Sequence, residues 1–240
     1  MIEARKLTKR LVDGKTVLSD VNLLIERGQF TVVAGASGSG KSMLLKCLAL
    51  REKWTSGELL LDGKEVFKGG WKAKMRVRRE IAYLEEKPDL HPNRTALKNA
   101  LVGTRHQTPL WRRLIGSVRN DDYMGVMDAL EQVGLLDKAH TKASALSGGE
   151  RQRVAVTRAL VHGARALLLD EPVTGLDPHS AERILSDLKA MCGRGIAVVA
   201  VLSNLEWAEK FGDRIVGLSE GRVVFDVAGR RLTGRERSML

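Results

Sequence analysis

Residues Gly35 to Ser42 read GASGSGKS, and this run constrains the chain more than any other. It fits G-x-x-x-x-G-K-[ST], the spacing of a loop that cradles phosphate. Phe30, Thr31, Val32, Val33 and Ala34 precede it as a short apolar, β-branched run, and Met43, Leu44, Leu45, Leu48 and Ala49 follow at helical spacing. Gly35, Gly38 and Gly40 let the backbone turn tightly between strand and helix. Successive N–H groups from Gly35, Ala36, Ser37, Gly38, Ser39 and Gly40 to Met43, with the positive end of the helix, can then face phosphate oxygens. Lys41 would reach the β- and γ-phosphates, and the Ser42 hydroxyl would ligate Mg²⁺. A plain Gly/Ser-rich turn is the simpler alternative. The complete spacing, the Lys-Ser ending and the flanking strand and helix together favour a nucleotide.

A chain of 240 residues suits one α/β domain with a possible inserted subdomain and a large core. The 43% apolar content is that of a globular protein, no stretch approaches 18 uninterrupted apolar residues, and MIEARKLTKR lacks the apolar core of a signal peptide. A cytoplasmic setting is expected. Cys47 and Cys192 lie in apolar helical patterns without metal spacing and are expected to be buried free thiols. The formal charge of +11 gathers at Lys72, Lys74, Arg76, Arg78 and Arg79, at Arg112 and Arg113, and at Arg230, Arg231, Arg235 and Arg237. With only 4% aromatic residues and no interleaved stacking platform, a single-strand nucleic-acid surface is disfavoured; a solvated face, or one near lipid headgroups, fits better.

Strand-like alternation over Ile2–Leu7 and Val17–Ile25, joined by Asp13-Gly14, predicts an antiparallel sheet ahead of the loop. Gly57–Leu61, Asp62-Gly63 and Val66-Phe67 predict a second hairpin, Ile81–Leu84 a buried strand, and Glu85–Pro92 a surface loop. From Thr95 to about Leu136 apolar residues recur at helical spacing, notably Val126, Leu130 and Val133, and Ser147–Leu160 reads as another amphipathic helix. Beyond that, strands at Ala166–Leu169, Ile196–Leu202, Ile215–Leu218 and Val223–Phe225 alternate with helices at His179–Met191 and Glu206–Phe211. The alternation predicts a mainly parallel sheet covered on both faces.

Leu167, Leu168 and Leu169 deliver Asp170 and Glu171 to the carboxyl end of a buried strand, where ligands bind in such sheets. Asp170 would hold Mg²⁺ and Glu171 would orient the attacking water. Alone, Asp-Glu after a strand is equally a helix cap; the upstream loop favours the metal. Leu146 to Glu150 read LSGGE, where Ser147, Gly148 and Gly149 at a helix start offer a hydroxyl, bare N–H groups and a dipole to an anion. A lone S-G-G is also an ordinary cap. The run LSGGERQRVAVTRAL resembles the signature segment of ATP-binding cassette ATPases, and the order GASGSGKS, LSGGE, LLLDEP, TGLD is similar to theirs across nearly the whole chain.

That resemblance implies an α/β fold: a P-loop NTPase core with a mainly parallel sheet, an N-terminal antiparallel β subdomain and an inserted helical subdomain. One domain, 1–240, is expected, with the catalytic core at about 1–94 and 162–240 and the helical part at about 95–161. It implies ATP and Mg²⁺ as cofactors and two cassettes paired head to tail. Ser147, Gly148, Gly149 and Glu150 would then be presented to the partner's ATP, and Asp177 would link the two sites. It implies a membrane permease docked on the helical insert, a solute-binding protein acting indirectly, no nucleic-acid partner, and a peripheral place on the cytoplasmic face of the membrane. Asn99–Lys138, with Val102-Gly103-Thr104-Arg105 and Trp111 to Gly116, and the endings Asp213–Leu218 and Gly221–Asp226 look like those of phosphonate importer ATPases. An accessory ATPase of a soluble phosphonate-degrading assembly is the alternative.

Three positions depart from the family pattern. Glu86 stands where a glutamine senses Mg²⁺ and the attacking water, Ser203 where a histidine contacts the γ-phosphate, and Leu11 where an aromatic residue stacks on adenine. Glu171, Ser203 and Glu86 are therefore the expected catalytic group, with Ser42, Asp170 and Glu86 about the metal and Leu11 against the base. The departures leave open a slow cassette paired with an unlike one, beside an ordinary homodimeric importer ATPase.

Overall fold

Alternating and continuous apolar runs are sorted into two sheets. A computed structural model describes residues 1–66, 68, 70–106 and 120–240. The chain divides into one unit formed by Met1–Tyr83, Arg165–Pro172 and Leu188–Leu240, and a second formed by Leu84–Ala164 and Val173–Asp187.

In the first unit, β1 (Ile2–Arg10) and β2 (Thr16–Ile25) form an antiparallel hairpin, Ile2 opposite Ile25. Its turn carries Asp13-Gly14, where the Asp13 carboxylate accepts from the Lys15 amide at 2.9 Å. The sheet is completed by β4 (Ser56–Leu61) and β5 (Lys64–Glu65) in the order β2-β1-β4-β5. The second hairpin is shorter than the alternation predicts: Val66 is buried beyond the strand end, and Phe67 lies outside the described residues.

The other sheet has the order β10-β9-β3-β8-β7-β6, with β3 (Phe30–Ala34), β6 (Ile81–Leu84), β7 (Ala166–Asp170), β8 (Ala197–Val201), β9 (Arg214–Ser219) and β10 (Arg222–Ala228). β3 runs parallel to β8 and β9, and β7 runs parallel to β8. FTVVA, ALLLD and AVVAV are buried along their whole length, as strands covered on both faces must be. The registers Val33 with Val201 and Asp170 with Val201 bring the carboxyl ends of these three strands to one level. Residues 70–80, to which the sequence pattern assigns no element, form a helix. The basic segment folds as α2 (Gly70–Glu80), following α1 (Lys41–Leu48), with Val77 buried and Arg76 bonded one turn on to Glu80 at 2.7 Å. So many charges hide its helical period.

In the second unit, Thr95 caps α3 (Ala96–Ala100), and buried Asn99 ties the preceding loop by donating to the carbonyls of His91, Arg94 and Thr95, each at 3.1 Å. A 3₁₀ segment, Leu101–His106, packs on α5 (Gly148–Val161) so closely that a Cβ on Gly103 would lie 2.2 Å from the Arg158 carbonyl oxygen. Val126 and Leu130 of α4 (Asn120–Gln132), then Val133, fill the core beside it. Trp111 to Gly116 lie outside the described residues. The chain continues through α6 (Pro178–Cys192), α7 (Leu205–Phe211) and α8 (Gly234–Arg237). Tail arginines Arg230 and Arg237 are paired with Glu236 and Glu209. Among the described residues, no helix is long and apolar enough to cross a membrane.

Candidate nucleotide site

The glycine-rich loop leaves the end of β3 and turns into α1. Gly38 and Gly40 hold φ of 82° and 103°, the left-handed region glycine adopts at little cost. Gly35 is required by space, since a Cβ there would sit 2.1 Å from the Leu218 carbonyl oxygen. The loop is braced by the Gly221 amide donating to the Ser39 carbonyl at 3.0 Å and the Ser39 amide donating to Ala36 at 3.2 Å. Ala36, Ser37 and Gly38 are exposed, while Lys41 is only 9% exposed. The Lys41 ammonium donates to the carbonyls of Gly35 and Ala36, both at 2.8 Å, which poises a cation over the loop. Burial lowers its pKa, opposed by the charges of Glu171 and Asp170.

Ser42, one position on, meets the last residue of β7: its hydroxyl donates to Asp170 Oδ1 at 2.9 Å, across 128 positions of chain. Asp170 ends β7, 9% exposed. Its other oxygen, Oδ2, accepts from the Tyr83 hydroxyl at 3.1 Å. Sequence reading missed Tyr83, which looked like one more apolar strand residue in Ile81–Leu84; a tyrosine at the end of a buried strand needs a polar partner, and that was the available signal. Glu171 follows in the left-handed region at φ 47°, a conformation that costs a residue with a Cβ about 1–2 kcal/mol. Its Oε2 accepts from the Ser203 hydroxyl at 3.0 Å and lies 3.4 Å from the Ser203 amide, just past β8. Ser42 and Asp170 thus supply hard, charged and neutral oxygens side by side, a donor set that fits Mg²⁺.

The other expected residues make different contacts. Leu11, 37% exposed, closes the base of the first hairpin turn, where its amide donates to Lys15 at 2.9 Å. In the second unit, Glu86 is exposed on the loop after β6. Ser147 caps α5 reciprocally: its hydroxyl accepts from the Glu150 amide at 3.3 Å, and the Glu150 carboxylate accepts from the Ser147 amide at 2.8 Å. Burial works against the Glu150 charge, yet Lys138 and the Ser147 amide hold its carboxyl below the usual value. Gly148 and Gly149 pack beside Leu176, where a Cβ on Gly148 would come within 3.1 Å of a Leu176 methyl. Asp177 accepts from the Ser180 amide at 3.0 Å and caps α6, and that residue's hydrogen bonds lower its pKa. Helix caps, the plainer reading of these motifs, are thus present in the fold.

A braced phosphate loop at the end of a central parallel strand, with its serine bonded to the aspartate that ends β7, the next strand but one, and a glutamate following that aspartate, defines a P-loop nucleoside triphosphatase. A family model described as ABC transporter matches residues 18–174. The chain belongs to this family, as an ATP-binding and ATP-hydrolysing cassette. The phosphonates import ATP-binding protein PhnC of Lactobacillus gasseri is 36% identical over 227 residues, 94% of this chain and 87% of that protein. PhnC of Staphylococcus aureus is 36% identical over 226 residues, 94% and 88% of the two chains. Among solved structures, the dimeric post-hydrolysis state of the ATP-binding cassette MJ0796 bound to ADP and Pi superposes with a TM-score of 0.82 at 30% identity, covering 97% of this chain and all of the other. The cbiO1 subunit of a Clostridium perfringens transporter complex, cbiONQ, gives 0.83 at 26% identity, over 95% and 88%.

Proposed function

We propose that this chain is the ATPase subunit of an importer for phosphonate or a related phosphorus oxyanion, working at the cytoplasmic face of the membrane. The observation that carries the site reading is the bond between Ser42 and Asp170 beside the Lys41 ammonium. In this reading the amides of the loop from Gly35 to Met43 bind the ATP phosphates, Lys41 neutralises the β- and γ-phosphates, and Leu11 covers the base. Ser42 and Asp170 hold Mg²⁺, which supplies charge neutralisation at the phosphates when bound. Glu171, steadied by Ser203, orients and polarises the attacking water.

Ser147, Gly148, Gly149 and Glu150 serve the nucleotide of a second cassette, identical or unlike, and Asp177 connects the paired sites. The helical part docks on a permease, which a solute-binding protein supplies. Similarity to PhnC proteins over 94% of the chain supports the cargo. The test is ATP-driven phosphonate uptake in vesicles holding the complex purified through this chain, with Glu171→Gln as control. Uptake abolished by that change is expected; a complex without a permease, or uptake indifferent to Glu171→Gln, would overturn the reading.

A second reading, a cassette that binds ATP well and hydrolyses it slowly beside a complete partner, is favoured by Ser203 holding Glu171 where a longer, charged imidazole is usual. Fast turnover in a transporter containing this cassette alone would exclude it.

A further inference from the structure

We propose that Tyr83 is a positioning residue for the metal-binding carboxylate, fixing Asp170 through its hydroxyl and thereby setting the magnesium dependence of nucleotide binding. The inference rests on the reading of Ser42 and Asp170 as the magnesium ligands. β6 lies next to β7 in the sheet, so the third residue of β6 reaches the last residue of β7. The ring of Tyr83 packs against the apolar core of the first unit, while its hydroxyl donates to Asp170 Oδ2 at 3.1 Å. Packing alone would be served by phenylalanine, so the oxygen is the part that needs an explanation.

Asp170 supplies that explanation. At 9% exposure its carboxylate has little water to draw on, and each buried oxygen needs a donor. Oδ1 is bonded to Ser42, itself a proposed ligand, so that bond must change when a cation engages the serine oxygen. Tyr83 lies outside the proposed ligand set, and its bond to Oδ2 can hold the carboxylate plane whether or not a cation is bound. Such outer partners of a ligand typically change metal affinity about 10- to 100-fold when removed.

The experiment titrates free Mg²⁺ against binding of a fluorescent, non-hydrolysable ATP analogue to the full chain, for the parent, Tyr83→Phe and Asp170→Asn, with a parallel measurement in EDTA. For Tyr83→Phe the Mg²⁺ midpoint is expected to rise about 10- to 100-fold, with affinity in EDTA unchanged. A midpoint within about twofold of the parent, a difference too small to signify on the scale expected of an outer partner, would overturn the proposal. So would a parallel loss of affinity in EDTA, which would mark a purely structural role. If Asp170→Asn moves the midpoint and Tyr83→Phe does not, the ligand reading stands and the role of Tyr83 falls. If neither moves it, both fall.

Discussion

Replacing Ser203 by alanine removes the hydroxyl that donates to Glu171 Oε2 at 3.0 Å and leaves the longer amide approach at 3.4 Å. A hydrogen bond to a charged acceptor is worth about 1.5–3 kcal/mol where water is excluded, but Ser203 is exposed, and water can take over part of the contact. The loss should therefore fall to about 0.5–1.5 kcal/mol, the net value of an ordinary protein hydrogen bond. If Glu171 orients the attacking water, that loss appears in the barrier as a roughly two- to tenfold slower turnover. The loop and Lys41 are untouched, so ATP affinity should stay within about twofold, well under 1 kcal/mol. Ser203→Thr keeps a hydroxyl and should retain most of the rate. The assay is steady-state phosphate release by the assembled transporter, paired with equilibrium ATP binding. Unchanged turnover in the alanine variant would refute the clamp, and a loss of ATP binding would show that Ser203 serves the nucleotide itself. A thousandfold fall would be too large for one exposed hydrogen bond, at about 4 kcal/mol, and would make Ser203 a direct participant.

Gly35→Ala must displace the Leu218 carbonyl or the loop, because its Cβ would lie 2.1 Å from that oxygen. A stability loss of about 1–3 kcal/mol is expected by urea unfolding, together with weakened ATP binding; an unaltered denaturation midpoint would contradict it. Burial raises both thiols, Cys47 and Cys192, to about 11. They should be alkylated slowly at pH 8 in the native protein and rapidly in denaturant, as thiol counting over time will read. Their folded-state pKa values lie above the unfolded one, so the stability they contribute is complete below about pH 8.5 and is lost as pH rises through about 11. Melting curves from pH 8 to 11 should therefore decline less steeply in a Cys47→Ala, Cys192→Ala variant.

Much of the chemistry was legible in local sequence. A phosphate loop is a contiguous device whose glycines, lysine and serine must stand at fixed spacing, and the fully buried runs of β3, β7 and β8 announce a two-faced parallel sheet through composition alone. Buried Cys47 and Cys192 followed from the apolar periods around them. α2 did not, because its many charges conceal a helix anchored by Val77, and the period of a helix is visible only when one face is apolar. The contacts among functional side chains were still less accessible. Ser42 and Asp170, Glu171 and Ser203, and Tyr83 and Asp170 meet because strand order and register bring the ends of β3, β8, β7 and β6 together, and no local pattern encodes order or register between distant strands. Sequence by itself determined the spacing of the glycine-rich loop and the place of the acidic pair Asp170-Glu171 after a buried apolar run, the pattern expected of a phosphate cradle with a metal. Tertiary structure decided which oxygen each carboxylate offers and which hydroxyl holds it, since those depend on side-chain reach across neighbouring strands.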